Sequence, residues 1–272
     1  MTSTRSRRFR NVSVSAVSIP LVAIALASVS STAAQGVSTQ YVALGDSFAS
    51  GVGTRTYYPD SGSCYRSPKA YPVIDAARIS ATLSFKACSG ARTGDVLANQ
   101  LGTLGIDTDY VSVQVGGNDA GFSNVITTCA QPSWASNCNA AIDKARAFIR
   151  TTLPGRLDNV YSSIRAKAPA ASVVVVGYPR LFNGEDCNAG TWFSPAEMTR
   201  LNATADLLNA TTENRADART YAFANPTNAY LAHAVCDSVE WVNGLSSPTR
   251  ESYHPNVKGQ AGFADLVDNH LS

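Results

Sequence analysis

The stretch Tyr41-Val42-Ala43-Leu44-Gly45-Asp46-Ser47-Phe48-Ala49-Ser50-Gly51 decides the reading of this chain. Four strand-forming residues run into Gly45-Asp46-Ser47 and then into small residues, so a strand stops at a turn that carries a hydroxyl. In an open α/β sheet, ligands bind in the crevice beyond the carboxyl ends of the strands, which is where this serine falls. Taken alone, Asp and Ser after a strand are also ordinary turn formers and helix N-caps. The weight of the motif therefore depends on the rest of the chain.

Outward from that turn, short apolar runs alternate with helical patterns, as βαβ units and a parallel sheet require. The expected strands are 40–44, 81–87, 110–115, 172–176 and 220–223, about five in all. Val173-Val174-Val175-Val176 is apolar on both faces, as a central strand covered by helices on each side must be. Helices are expected over 67–79, 92–101 and 257–270, and a longer pattern over 139–168 is broken at Pro154-Gly155. Another begins at Ser194-Pro195-Ala196-Glu197, with a serine cap, proline in the first turn and an acidic residue near the positive helix end. The weakly periodic segments 53–67, 123–137 and 182–193 read as loops draped over one end of the sheet, where they could wall a pocket.

The first residues look different. Arg5, Arg7, Arg8 and Arg10 precede an apolar stretch from about Val12 to Val29 and the small-residue run Ser30-Ser31-Thr32-Ala33-Ala34, the pattern of a secretory signal peptide cleaved near Ala34. Ser13, Ser15, Ser18 and Pro20 interrupt the stretch too much for a permanent anchor, and Arg7-Arg8 is only a weak twin-arginine signal. The whole chain carries 22 basic and 20 acidic residues, and without those four arginines the balance becomes 18 against 20. No basic run remains of the kind that binds nucleic acid or an anionic membrane. Residues 35–272 are enough for one sizeable α/β domain, with no linker or repeat to divide it.

Six cysteines, Cys64, Cys88, Cys129, Cys138, Cys187 and Cys236, would meet an oxidising environment in an exported chain, and three disulfides are the economical reading. Six cysteines allow fifteen connectivities. Consecutive pairing would staple one loop region with each bridge. A zinc site is disfavoured because no Cys-x-x-Cys or nearby Cys/His set is present, and no cofactor or metal is expected.

Three further blocks sit at expected strand ends or loops: Cys88-Ser89-Gly90-Ala91, Gly116-Gly117-Asn118-Asp119 and Ser252-Tyr253-His254-Pro255-Asn256. A base for Ser47 must come from the three histidines, His233, His254 and His270. His270 lies two residues from the C-terminus and reads as exposed; His233, near Cys236, reads as a loop packing residue. His254, held by Pro255 at the mouth of a helix, is the best positioned imidazole. A serine hydroxyl is a poor nucleophile until a neighbouring imidazole takes its proton. The negative oxygen that then forms needs preorganised donors, and the Ser47 and Gly90 N–H groups with the Asn118 carboxamide could supply them. Asn118 by itself reads equally well as a turn former, and Gly90 as a loop glycine.

With Ser, Gly, Asn and His in four ordered blocks, the chain resembles the SGNH, or GDSL-type, hydrolase superfamily across essentially all of residues 35–272. It is most similar to the secreted actinobacterial (Streptomyces-type) lipases, esterases and phospholipases A. The resemblance implies a flavodoxin-like three-layer α/β/α fold with a mostly parallel sheet, and ester hydrolysis through an acyl-serine without a metal. It implies Ser47 as nucleophile, His254 as general base and acid, and Ser47, Gly90 and Asn118 as the oxyanion hole. Many members place an aspartate three residues before the histidine, where this chain has Glu251, a longer side chain that could complete a triad. Some secreted relatives use a main-chain carbonyl two residues before the histidine, here that of Ser252. The reading favoured is a Ser47-His254 dyad oriented by the Ser252 carbonyl, with Glu251 supporting.

The function expected is a secreted, monomeric lipolytic ester hydrolase that touches lipid aggregates transiently. The alternative is an acetyl esterase for sugars from the same superfamily. A binding protein that kept the fold but lost the reaction would need a missing catalytic residue, and all four are in place. Trp134, Trp192 and Trp241 fall in loop regions, where they could line an acyl or sugar groove or simply pack against the core and the disulfides.

Overall fold

The computed structural model describes residues 38–271, together with 1, 2, 4, 6, 8–13, 15 and 16. Most of the expected export signal, including the cleavage site near Ala34, lies outside the described residues. The sheet contains β1 (Gln40–Gly45), β2 (Thr82–Phe85), β3 (Tyr110–Gln114), β4 (Ser172–Val176) and β5 (Ala222–Ala224). All four pairings are parallel and the strand order is β2-β1-β3-β4-β5. That is the doubly wound flavodoxin-like order, whose switch point lies between β1 and β3. Tyr41 to Leu44 and Val173 to Val176 are buried, because helices cover both faces of a parallel sheet.

The helices are α1 (Ser47–Ser50), α2 (Tyr71–Arg78), α3 (Thr93–Asp95), α4 (Phe122–Cys129), α5 (Cys138–Thr151), α6 (Leu153–Lys167), α7 (Pro195–Asp217) and α8 (Val257–Asp268). Helices α2 and α8 pack together on one face, while α5, α6 and α7 pack against one another on the opposite face. Pro154 does divide the long pattern, and it sits in the first turn of α6, where its missing N–H costs nothing. Helix α7 starts with a closed capping box: the Ser194 hydroxyl accepts from Glu197 N, and Glu197 Oε2 accepts from Ser194 N.

Strand β2 and helix α8 are shorter than expected by one or two residues at an end, and four other boundaries differ for a visible reason. The segment 123–137 is not all loop, since α4 takes its first half and buries Val125, Ile126 and Cys129. Helix α2 begins at Tyr71 rather than Ser67, whose hydroxyl instead accepts from Lys69 N and closes a turn. The helix expected over 92–101 is one α turn followed by a wider π turn over Val96–Gln100, which swings Gln100 into the core. Finally, β5 starts at Ala222 because Thr220 is left-handed, with φ of 55°, and ends the turn after α7.

Three disulfides tie the loops at the carboxyl end of the sheet: Cys64–Cys88, Cys129–Cys138 and Cys187–Cys236. The first holds the 53–67 loop beside the Gly90 turn, where Ser89 N donates to Cys64 O at 3.1 Å. The third anchors the 182–193 loop, whose Phe182 and Phe193 rings pack on Tyr253.

Candidate active site

Strand β1 ends where it must turn sharply. Gly45 has φ of 138°, and a Cβ there would come within 2.3 Å of Gln114 O on β3. The Gln100 carboxamide brackets this residue, accepting from Gly45 N at 2.8 Å and donating to Gly45 O at 2.9 Å. Asp46 then caps α1, its carboxylate accepting from Phe48 N at 3.0 Å. Gln260 on α8 donates to Phe48 O at 3.0 Å. Ser47 is thus the first residue of a four-residue helix held from three sides, and it is 7% exposed.

His254 arrives from the other end of the chain. Its Nε2 stands 2.8 Å from Ser47 Oγ, and its Nδ1 lies 2.9 Å from the Ser252 carbonyl oxygen. Since a carbonyl only accepts, Nδ1 carries the proton and Nε2 is left free to receive one from the serine. Burial pushes the imidazole pKa down to about 4, against the upward pull of the Ser252 carbonyl and the Glu251 charge, so the ring is neutral near pH 7. The histidine loop is pinned through Asn243: Asn243 N donates to His254 O at 3.0 Å, Tyr253 N to Asn243 O at 2.9 Å, and the Asn243 carboxamide to Gly53 O at 2.8 Å.

The structure does not bring Glu251 onto the imidazole. Its Oε2 accepts from Gly53 N at 2.9 Å and from Tyr57 OH at 2.5 Å, and Oε1 faces Arg250 Nε at 3.4 Å. The longer side chain reaches past the histidine to tie the 53–67 loop, and it influences His254 only across space.

Gly90 follows β2 and Asn118 follows β3, so with Ser47 they come from three adjacent strand ends. Cys88 N donates to Gly45 O at 3.0 Å, and Asn118 Nδ2 donates to Ala91 O at 3.1 Å, which links the three turns. The second Nδ2 proton of Asn118 is left over. Neither Ser47 N nor Gly90 N is spent on an acceptor among the described residues. Gly90 has φ of 79°, the left-handed region that favours glycine, and a Cβ there would meet nothing within 4 Å. Together these groups place a hydroxyl, a base and unpaired N–H donors at or beside three neighbouring strand ends, the kinds of group that acyl transfer needs.

Two grooves lie near the dyad, sharing Phe122 and Ile126, and the second of them includes His254. A buried apolar pocket between α4, α5 and α7 is lined by Phe48, Gly117, Phe122, Ile126, Ile149 and Leu208, among others. An open groove on the other side of Phe122 is walled by Ile126, Leu245, Arg250, Tyr253 and His254. Of the tryptophans, Trp134 and Trp192 are 88% and 54% exposed, while Trp241 stacks on His233 at 4.1 Å and packs against Gly262 on α8. His270 is exposed. Among the described residues no three His, Cys, Asp or Glu side chains cluster as a metal would need, and no helix is long and apolar enough to cross a membrane.

Reading the motifs alone missed Gln100, Gln260 and Gly53 as parts of this frame, and Tyr178, whose hydroxyl donates to Asp46 Oδ2 at 2.6 Å. The signal for Asp46 was present, since an Asp before a helix start is an N-cap pattern. Gln100 and Tyr178 carry no local signal, because they act on turns distant in sequence.

The GDSL-like Lipase/Acylhydrolase family matches residues 43–261 of the chain. A lipase of Streptomyces rimosus is 45% identical over 253 residues, covering 92% of this chain and 93% of that one. The crystal structure of an extracellular lipase from Streptomyces rimosus superposes with a TM-score of 0.81 at 46% identity, over 86% of this chain and 100% of that one. The phospholipase A1 of Streptomyces albidoflavus NA297 gives a TM-score of 0.82 at 45% identity, again over 86% and 100% of the two chains.

Proposed function

We infer that this chain, which belongs to the GDSL-like lipase/acylhydrolase family, hydrolyses the carboxylic esters of lipids through an acyl-enzyme on Ser47. The observation that carries this reading is the 2.8 Å contact between Ser47 Oγ and His254 Nε2, with Nδ1 held by a main-chain carbonyl.

The chemistry follows from the geometry. Neutral His254 takes the Ser47 proton as Oγ attacks the ester carbonyl carbon, and the Ser252 carbonyl holds the Nδ1 proton of the resulting imidazolium. The tetrahedral oxyanion is met by Ser47 N–H, Gly90 N–H and the free Asn118 Nδ2 proton. Collapse expels the alcohol, which receives its proton from His254. Water then repeats the sequence on the acyl-serine, and the acid leaves. Each transfer uses groups of the chain itself.

The pocket beside Phe48 and Gly117 is lined almost wholly by apolar side chains, which suits the start of an acyl chain and offers little to hold a sugar, and the two similar solved structures are a lipase and a phospholipase A1. That favours lipid over acetylated sugar. The alcohol portion lies in the open groove, where Arg250, about half exposed, favours a phosphodiester head group over a neutral glyceride. Trp134 and Trp192 stand outside that groove, each a few residues from its wall, and the amphipathic indole suits the boundary of a lipid aggregate. Export of the chain after cleavage near Ala34 accords with the arginine-rich start and three disulfides, and one similar structure is described as an extracellular lipase.

The test is a substrate panel: phosphatidylcholine vesicles, a triacylglycerol emulsion and acetylated xylan, each with wild type and Ser47→Ala. Fatty acid release that vanishes in Ser47→Ala is the expected result. Acetate release from xylan that outpaces fatty acid release would instead select the sugar esterase.

A further inference from the structure

One buried phenol joins turns that the sheet itself leaves unconnected. Tyr178 follows β4, and its hydroxyl donates to Asp46 Oδ2 at 2.6 Å while accepting from Gly117 N at 3.3 Å. The other Asp46 oxygen accepts from Phe48 N, the residue after the nucleophile. Tyr178 is itself clamped on both sides of its main chain: Asn209 Oδ1 accepts from Tyr178 N, and Asn209 Nδ2 donates to Tyr178 O, each at 2.8 Å. Its ring meets Phe48 edge to face at 5.2 Å and stands 3.3 Å from where a Cβ on Gly117 would lie.

Parallel pairing fixes the register of β1 and β3 only up to Gly45 and Gln114. The last backbone bond between these two strands is Asp46 N to Gln114 O at 2.9 Å, and the catalytic groups lie just past it, where side chains have to add to their spacing. We propose that Tyr178 is a positioning residue for ester hydrolysis, its hydroxyl locking the Ser47 turn to the Gly116-Gly117-Asn118 turn so that the nucleophile and the oxyanion donors keep one fixed separation. It touches no reacting atom. A hydrogen bond to a carboxylate in a dry site is among the stronger ones available, which suits a cross-link of this kind. Burial and the neighbouring Asp119 charge push the Asp46 carboxyl up toward about 7, while the Tyr178 hydroxyl and the Phe48 N–H pull it down. Asp119 is in turn held by Thr93 and Arg156.

The inference rests on Ser47 as nucleophile, and the two can fail separately. Ser47→Ala that still hydrolysed esters would remove the reading of the site. Tyr178→Phe addresses the cross-link alone, because the ring stays in place and only the hydroxyl is lost. The expected result, on a soluble short-chain nitrophenyl ester, is a drop in kcat of about tenfold or more, with KM within about twofold of wild type. A residue that served only as pocket wall would move KM instead. Asp46→Asn, which keeps the shape and the Phe48 contact but turns an Nδ2 donor toward the phenol in place of the acceptor, provides the second arm. The double variant Tyr178→Phe/Asp46→Asn should be no slower than Asp46→Asn by more than about twofold, since the shared bond is already lost. Each variant is scored per folded molecule by its circular-dichroism melt, and Asp46→Asn carries the test if Tyr178→Phe does not fold. Wild-type kcat in the folded variants, a loss confined to KM, or losses that simply multiply in the double variant would overturn the proposal.

Discussion

Replacing Glu251 by glutamine separates a dyad from a triad. In the structure the carboxylate is 1% exposed and accepts from Gly53 N–H and Tyr57 O–H, whereas the imidazole Nδ1 is bonded to a main-chain oxygen that no side-chain substitution removes. Both donors meet the same Oε2, so glutamine can set its one oxygen there and turn its amide toward Arg250, which keeps both loop contacts but takes the charge from their acceptor. The loss therefore falls mainly on stability. Hydrogen bonds to a charged acceptor contribute about 1.5–3 kcal/mol each, which for a chain of this size corresponds to a fall in Tm of up to roughly 10 °C. What kcat loses is the long-range support of the imidazolium by one negative charge, about tenfold or less, or roughly 1.4 kcal/mol. The assay is kcat for a short nitrophenyl ester by Glu251→Gln, Ser47→Ala and His254→Ala, side by side with thermal unfolding. Ser47→Ala and His254→Ala should fall by about 10⁴-fold or more. A Glu251→Gln loss as deep as theirs, in protein that melts like wild type, would refute the assignment of the Ser252 carbonyl as the group that orients His254.

Three further outcomes are expected. Asn118→Ala should lower kcat by about 10²–10³-fold, the usual cost of one oxyanion donor, with the fold intact by circular dichroism; a loss under about threefold would remove Asn118 from the hole. Because burial lowers the His254 pKa to about 4, the base stays neutral and active as pH falls from 7 toward 5, and the steep acid limb of kcat/KM lies near 4 instead of 6.5. Protonation of Asp46, whose carboxyl is raised toward about 7, adds only a shallow step above it, and complete loss of activity by pH 6 would contradict both assignments. Gly53→Ala should cost more than about tenfold in kcat, since φ is 103° and the new Cβ would fall 2.4 Å from Pro255 O and 2.9 Å from His254 Cβ; Gly102→Ala, which meets nothing within 4 Å, is the matched control.

Much of the architecture was legible because it depends on short-range pattern. The Val173 to Val176 run, the break at Pro154 and the Ser194 to Glu197 capping box each follow from local chemistry, and the structure has β4, the α5–α6 division and the α7 start accordingly. The boundaries that moved are those where a distant partner outweighs local preference: the π turn exists to aim Gln100 at Gly45, and α4 buries Val125 and Ile126 in a segment without obvious period. The same distinction holds at the site. Ser47, Gly90 and Asn118 were readable as ordered blocks at strand ends, and His254 as one in the loop before the last helix. Tyr178, Gln260 and the true partners of Glu251 were not, because each pairs residues more than 100 positions apart and leaves no trace in spacing.

The most direct measurement is to mix the protein with a slowly deacylated nitrophenyl ester, quench in acid, and locate the acyl group by mass spectrometry of the digested protein. The account predicts a single acyl adduct on the peptide carrying Ser47, formed at the rate of nitrophenol release and absent from Ser47→Ala and His254→Ala. An adduct on any other residue, or undiminished turnover with Ser47 replaced, would contradict it.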